Sequence, residues 1–129
     1  MYRILVADDE PDILSSVKKR LEREGYFVFT ASDGQAALDI AESESCPDVI
    51  VLDILMPNKN GFEILRELRS KPKNKYQPVI IVSAQNDFDD IKKGYDLEAD
   101  FYITKPFTLG QLTKGIETML SIIPLRKKD

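Results

Sequence analysis

Short apolar segments alternate along the 129-residue chain with segments whose apolar residues recur at helical spacing. The segments that predict β-strands are residues 2–7, 26–31, 48–52, 79–82 and 101–103. The segments that predict helices are residues 11–24, about 32–43, a segment beginning near 60, 88–97, and a last segment beginning near 108. Five such units predict an α/β fold, a doubly wound parallel sheet with helices on both faces.

Residues at the ends of several predicted helices are typical of helix caps. Gly25 follows the first helix, where a C-terminal glycine belongs. The pairs with capping-box or related spacing are Ser32–Gln35, Asn60–Glu63 and Thr108–Gln111. Residues 71–75, KPKNK, are interpreted as an exposed loop.

The composition excludes several classes of chemistry. The chain has no His, which excludes a histidine nucleophile, general base or phosphocarrier within it. Cys46 is the only cysteine, which excludes an internal disulfide and a thiolate zinc site. The net charge of −4 provides no general basic surface for nucleic acid or anionic lipid. We therefore expect no direct binding to nucleic acid or to membranes.

The length and the apolar content together indicate one domain. A chain of 129 residues with 43% hydrophobic residues can bury one core. No segment near Met1 resembles a signal peptide, and no apolar run reaches transmembrane length. The expected location is therefore the cytoplasm.

One carboxylate interrupts the most apolar stretch of the chain. In residues 49–56, VIVLDILM, Asp53 has seven apolar neighbours, a pattern typical of a strand buried on both faces. A buried carboxylate is unfavourable unless it is protonated, paired or bound to a metal. The polar loop at residues 58–61 comes too late in the sequence to absorb the charge. Asp53 is therefore the first candidate functional residue.

Four of the predicted strands end at, or continue into, residues able to do chemistry. Asp8 and Asp9 follow the first strand, Asp53 the third, Ser83 the fourth and Lys105 the fifth. The carboxyl ends of parallel strands form the ligand-binding edge of an open α/β sheet. Each residue taken separately has an ordinary explanation, such as a helix cap or a solvated turn. Their predicted convergence favours a functional site.

The chemical types in this set indicate phosphoryl transfer assisted by a cation. Neighbouring carboxylates repel each other, and oxygen ligands without His or Cys favour Mg²⁺. A carboxylate in this setting is a competent nucleophile toward phosphorus. Asp53 would accept the phosphoryl group, while Mg²⁺, Lys105 and Ser83 would neutralise its oxygens.

Four motifs resemble the receiver domain of bacterial two-component response regulators. They are ILVADDEPDI, VIVLDILMPNKNGFEIL, VIIVSA and DFYITKPF, and together they extend over nearly the whole chain. The resemblance implies a flavodoxin-like (βα)5 fold with strand order 2-1-3-4-5 in three α/β/α layers. It also implies a receiver domain at residues 1–124, with 125–129 as a short basic tail or the start of a linker.

The resemblance implies a role for each residue of the phosphorylation site. Asp53 is then the phosphoacceptor, and Ser83 and Lys105 contact the phosphoryl group. Tyr102 is the aromatic switch residue, and the peptide bond between Lys105 and Pro106 is cis.

The metal site and the partners are likewise implied by the resemblance. Asp9, Asp53 and the backbone carbonyl of Leu55 would bind Mg²⁺ directly, and Asp8 largely through water. A sensor histidine kinase or a histidine phosphotransfer protein would supply the phosphoryl group. The domain would act as a signalling module that assists its own phosphorylation and dephosphorylation.

A downstream effector protein, an output domain or a second copy in a phosphorylation-dependent homodimer would then read the phosphorylated state. The expected surface is formed by the predicted fourth helix, fifth strand and fifth helix. Residues 88–97 have the weakest helical pattern and should move most.

The chain departs from the usual receiver pattern in two loops, and three other functions compete with the receiver interpretation. Lys59 replaces an apolar residue, and Glu98 replaces the glycine that usually precedes strand five. A flavodoxin-type cofactor site is disfavoured because the loop after strand one is acidic. A haloacid dehalogenase-type hydrolase expects a second Asp where Leu55 stands. A pseudo-receiver that only binds proteins is the remaining alternative.

Overall fold

The computed structural model describes residues 1–44, 46–84, 92 and 99–126, with side chains described up to residue 122. Four helices, one 3-10 helix and five strands make up this part of the chain. The strands are β1 (Arg3–Ala7), β2 (Phe27–Ala31), β3 (Val49–Asp53), β4 (Val79–Ser83) and β5 (Phe101–Thr104). The helices are α1 (Pro11–Arg23), α2 (Gly34–Glu42), α3 (Gly61–Arg69), the 3-10 helix (Pro72–Asn74) and the C-terminal helix (Leu109–Arg126). The predicted helix at 88–97 lies outside the described residues, apart from Lys92.

The five strands form one parallel sheet in the order β2-β1-β3-β4-β5. This is the predicted flavodoxin-like order, so the predicted fold class is confirmed. Every residue of β3 and β4 is buried, as expected for central strands covered on both faces.

Two apolar clusters lie on the two faces of the sheet. One cluster packs α2 and α3 against the sheet and includes Leu38, Ile64 and Leu65. The other packs α1 and the C-terminal helix and includes Leu21 and Ile116. Successive side chains of a strand point to opposite faces of the sheet, so each strand contributes residues to both clusters. For this reason the strand sequences are continuous apolar runs.

Most of the predicted helix ends are confirmed. Gly25 has φ +95°, the left-handed conformation in which glycine follows a helix. Asn60 and Glu63 form a capping box at α3. Thr108 and Gln111 form a second capping box, at the C-terminal helix. The N–H of Thr108 donates to Oε1 of Gln111 at 2.8 Å, and the N–H of Gln111 donates to Oγ1 of Thr108 at 3.0 Å.

The predicted cap of α2 is wrong by one residue. Asp33, and not Ser32, occupies the N-cap position, and its Oδ1 accepts the N–H of Ala36 at 2.8 Å. The capping box between Ser32 and Gln35 is therefore absent. An Asp side chain at the N-cap satisfies the same kind of free amide group, so the sequence signal was ambiguous.

The prediction of an exposed loop at residues 71–75 is correct for Pro72, Lys73 and Lys75, which are exposed, and wrong for Asn74. This segment contains the 3-10 helix, and Asn74 is only 1% exposed. Its side-chain amide donates to the carbonyl of Ala41 at 3.1 Å and to Oε1 of Gln77 at 2.8 Å. The polar segment is therefore attached to the end of α2 by long-range hydrogen bonds.

No helix in the described part of the chain has both the length and the apolar character needed to cross a membrane.

Candidate functional site

The sheet brings the predicted site residues to its carboxyl edge. Asp8 directly follows β1, Asp53 ends β3 and Ser83 ends β4. In the ladder, Asp53 pairs with Val82, and Ser83 pairs with Thr104, which precedes Lys105. Strand register therefore places residues from four parts of the chain at one edge.

Lys105 connects two buried carboxylates. Its Nζ donates to Oδ2 of Asp8 at 2.9 Å and to Oδ2 of Asp53 at 3.0 Å. Oε1 of Glu10 lies 3.7 Å from the same Nζ. The backbone N–H of Lys105 also donates to the carbonyl of Ser83 at 2.7 Å, which fixes the lysine to the end of β4. A single ammonium group therefore offsets the repulsion between Asp8 and Asp53.

Asp8 is 3% exposed, and both of its oxygens accept hydrogen bonds. While Oδ2 accepts from Lys105, Oδ1 accepts the N–H of Glu10 at 2.9 Å. The Oδ1 bond turns the chain from β1 toward α1. Asp8 therefore has a local structural role in addition to its position in the site.

Asp53 is 5% exposed and has the electrostatics of a buried acid next to one cation. Its Oδ1 accepts a long bond of 3.4 Å from the N–H of Leu55. The pKa of Asp53 is raised, mainly by burial. The hydrogen bond from Lys105 lowers this pKa in part, and the negative charge of Asp8 raises it further. The ionised form is therefore disfavoured by its surroundings and needs further positive charge.

Burial lowers the pKa of Lys105, but its bonds to Asp8 and Asp53 outweigh that effect and hold its pKa above the ordinary value. The ammonium group is therefore charged at neutral pH. It can stabilise negative oxygens at this edge without taking up or releasing a proton.

Within the described residues, one group of carboxylates is close enough to share a cation. It consists of Asp8, Asp9 and Glu10, whose oxygens lie within 4.8 Å of one another. Asp9 and Glu10 are exposed. Asp53 is connected to this group because Lys105 donates a hydrogen bond to both Asp53 and Asp8. Donors that are all carboxylate oxygens fit Mg²⁺. Sequence reasoning assigned no role to Glu10, although its place beside the acidic pair could have suggested one.

The remaining predicted residues lie around this centre. Ser83 is fully buried, Leu55 is 58% exposed, and Tyr102 is half-buried against the core formed by α2, α3 and the sheet. The Lys105–Pro106 bond is cis, as predicted. The roles of Ser83 and Tyr102 and the four metal ligands stay predictions.

The loop between β3 and α3 is tightly closed behind Asp53. Gly61 donates its N–H to the carbonyl of Ile54 at 2.9 Å. A Cβ on Gly61 would lie 2.7 Å from the carbonyl oxygen of Asp53, so only glycine fits without movement. Lys59, the departure noted in the sequence, pairs with Glu67 on α3.

Comparisons with known proteins agree with this geometry. The response regulator receiver domain is the family whose model matches the chain, over residues 4–117. The alkaline phosphatase synthesis transcriptional regulatory protein PhoP of Bacillus subtilis (strain 168) is 40% identical over 118 residues. Those residues are 92% of this chain and 48% of that protein. The chain thus spans about half the length of the curated relatives it matches.

Solved structures of receiver domains superpose closely on this chain. The Francisella response regulator 1452 receiver domain has a TM-score of 0.86 and 33% identity, covering 94% of this chain and 98% of that one. A CheY-like response regulator receiver domain protein from Methanospirillum hungatei JF-1 has a TM-score of 0.89 and 29% identity. That match covers 100% of this chain and 99% of the other.

Proposed function

The chain belongs to the response regulator receiver domain family, and we propose that it accepts a phosphoryl group on Asp53 in a two-component phosphorelay. The observation that carries the proposal is the bridge from Lys105 to Asp53 and Asp8, at 3.0 and 2.9 Å. This bridge supplies a fixed positive charge beside a buried carboxylate nucleophile.

The reaction would transfer the phosphoryl group from a phosphohistidine of a sensor kinase or phosphotransfer protein. A carboxylate oxygen of Asp53 forms the new P–O bond as the P–N bond to the donor imidazole breaks. The imidazole nitrogen that leaves takes up a proton. Because this chain has no His, the donor must be another molecule.

Electrostatic stabilisation is the main contribution that the chain can make to this step. Phosphoryl transfer depends on positioning and on neutralising the oxygens around phosphorus. Lys105 is charged and within reach of Asp53, and the Ser83 hydroxyl lies at the end of the neighbouring strand. We propose that both contact the phosphoryl oxygens.

Mg²⁺ is the cofactor we propose for this reaction. Asp9, Asp53 and the carbonyl of Leu55 would hold it directly, with Asp8 acting through water. Bound there, it would neutralise the charge that builds up on the phosphoryl oxygens and keep Asp53 ionised. The nearby carboxylates of Asp8, Asp9 and Glu10 support a cation at this edge.

The phosphorylated domain would act by binding another protein. We propose that β5 and the C-terminal helix, with the segment at 88–97, form the surface read by an effector, an output domain or a second copy. Residues 1–124 would constitute the receiver unit, with 125–129 as a tail or the start of a linker. A cytoplasmic location is part of the same proposal.

Incubation with a small phosphodonor and Mg²⁺, followed by intact-protein mass spectrometry, tests the proposal. We expect one added phosphoryl group that is lost on acid treatment and is not formed when EDTA is present. An unmodified chain at all donor concentrations would favour the alternative, a pseudo-receiver that acts only as a protein-binding module.

A further inference from the structure

We propose that Gly34, which is distant in sequence from every predicted ligand, is a positioning residue for the cation site. It would act through the β3–α3 loop, residues 54–60, which contains the carbonyl of Leu55. The inference rests on the proposed function, because it concerns the affinity of the same site for Mg²⁺.

Gly34 lies directly against the backbone of this loop. A Cβ on Gly34 would lie 1.9 Å from the carbonyl oxygen of Lys59 and 2.7 Å from its Cβ. The N–H of Gly34 donates to the carbonyl of Pro57 at 3.1 Å. The first residue of α2 therefore both contacts the far end of the loop and holds it by a hydrogen bond.

The glycine is required here by space and not by backbone conformation. Gly34 is the first residue of α2, a helical position that other residues can adopt. In contrast, Gly25 has φ +95° and nothing within 4 Å of its absent Cβ. Alanine at position 34 would have to displace the Lys59 carbonyl by about 1.5 Å before ordinary contact is restored.

Such a displacement would reach Leu55 because the loop is short and closed at its base. Gly61 donates its N–H to the carbonyl of Ile54 at 2.9 Å, which fixes the base. The Pro57 carbonyl also accepts the N–H of Lys59 at 2.9 Å, which makes the far end a tight turn. Movement of the far end is therefore shared by the peptides that join it to the fixed base, those of Leu55 and Met56 on one side and that of Asn60 on the other, so part of it reaches the Leu55 carbonyl.

Mg²⁺ binding by three proteins tests the proposal: the natural chain, Gly34→Ala and the control Gly25→Ala. Isothermal titration calorimetry gives the affinity, and thermal unfolding without Mg²⁺ gives the stability. We expect Gly34→Ala to bind Mg²⁺ about 10- to 100-fold more weakly, the range found when groups that orient metal ligands are removed. Gly25→Ala should lose stability, because its φ is strained for alanine, and keep the natural affinity.

Phosphorylation kinetics supply a second measurement that general damage to the fold would not reproduce. For Gly34→Ala, the Mg²⁺ concentration giving half the maximal rate should rise by the same factor as the dissociation constant. The maximal rate at saturating Mg²⁺ should stay near that of the natural chain. Equal affinity in Gly34→Ala and the natural chain, or equal weakening in both glycine variants, would overturn the inference.

An NMR titration of the natural chain decides the question if Gly34→Ala does not fold. The N–H of Gly34 donates to the Pro57 carbonyl of the loop, so a change in the loop when Mg²⁺ binds should alter the environment of that amide. We expect the amide signal of Gly34 to shift with the binding isotherm, and that of Gly110 in the C-terminal helix to stay fixed. An unshifted Gly34 signal would overturn the inference, whereas a natural chain that binds no Mg²⁺ would reject the proposed function itself.

Discussion

Nζ of Lys105 lies 3.0 Å from Oδ2 of Asp53, although the two residues are 52 positions apart. The same Nζ lies 2.9 Å from Asp8, so one ammonium group serves two buried acids. This arrangement exists only because β1, β3 and β5 are parallel and end at one edge of the sheet. The chemistry of the site is therefore a property of the sheet topology.

The two acidic residues after β1 should differ in their effect on Mg²⁺ affinity. Asp8 is buried and committed to Lys105 and to the N–H of Glu10, whereas Asp9 is exposed. Asp8→Ala should weaken binding by about 10- to 100-fold, as expected for an indirect ligand, and Asp9→Ala by more. Calorimetric titration measures both, and a larger loss in Asp8→Ala would contradict the assignment of ligands.

Asp53→Asn should stabilise the protein in the absence of Mg²⁺. Burial holds the pKa of Asp53 above its value in an unfolded chain, so ionisation of this group costs stability at neutral pH. We expect the melting temperature to rise by about 4 °C for each kcal/mol of this cost. The measurement is thermal unfolding at pH 7 with EDTA.

The pH dependence of the same effect has a defined sign. The cost of ionised Asp53 is complete above its folded-state pKa and disappears as the pH falls toward about 3.9, the unfolded value. The advantage of Asp53→Asn should therefore shrink on acidification. Asp39→Asn is the control, because Asp39 is exposed and accepts a hydrogen bond from Gln35 of the same helix. Equal melting temperatures for Asp53→Asn and the natural chain at pH 7 would count against a strained acidic site.

A partly buried ion pair at the opposite edge of the sheet should contribute stability without affecting the chemistry. Asp100 accepts a bond of 3.1 Å from Arg69 and one of 2.8 Å from the N–H of Val79, and the two side chains are 14% and 7% exposed. Arg69 keeps its bonds to the carbonyls of Asn74 and Gln77, so Asp100→Ala should cost about 1.5–3 kcal/mol, the contribution of a hydrogen bond to a charged group. Urea unfolding measures the loss, with Glu24→Ala in the exposed Arg20 pair as control. A loss below about 1 kcal/mol would contradict the prediction.

The fold was predictable because apolar periodicity is local information. The fully buried strands and the helical spacing of Leu112, Ile116 and Met119 on the C-terminal helix were visible in the sequence. The one-residue error at Asp33 arose because neighbouring Ser and Asp can both cap a helix. The buried position of Asn74 could not be predicted, because its partners at Ala41 and Gln77 depend on how α2 packs.

The candidate site was predictable where a residue conflicted with its surroundings. Asp53 is a charge in an apolar strand, and that conflict is apparent from the sequence. The bridge from Lys105 to Asp8 requires strand order and register, which the alternation of elements alone does not fix. The contact of Gly34 with the Lys59 backbone joins the start of α2 to the β3–α3 loop, and no sequence pattern connects these two segments.

Tyr102 should couple phosphorylation to partner binding. Tyr102 is half-buried and lies in β5 opposite Ile81 of β4, two residues before Ser83 on that strand. A change in the position of its ring on phosphorylation would carry the signal from Ser83 to the surface. Tyr102→Ala should keep phosphorylation and weaken phosphorylation-dependent association by about 5- to 150-fold. The control is Tyr76→Ala, which removes an exposed ring on the loop before β4.

Amide hydrogen exchange with and without phosphorylation tests the route of this signal. Residues 87–105 should change their exchange rates, since they contain the predicted moving helix and β5. Changes confined to α1 and α2, with residues 87–105 unaltered, would show that the signal leaves by another surface.

The most direct test of the account is the identity of the phosphorylated residue. The natural chain, Asp53→Ala and Asp39→Ala are incubated with a small phosphodonor and Mg²⁺, and acid-labile phosphate is quantified by mass spectrometry. We predict one phosphoryl group on the natural chain and on Asp39→Ala, and none on Asp53→Ala. A stoichiometric acid-labile phosphate on folded Asp53→Ala would contradict the account.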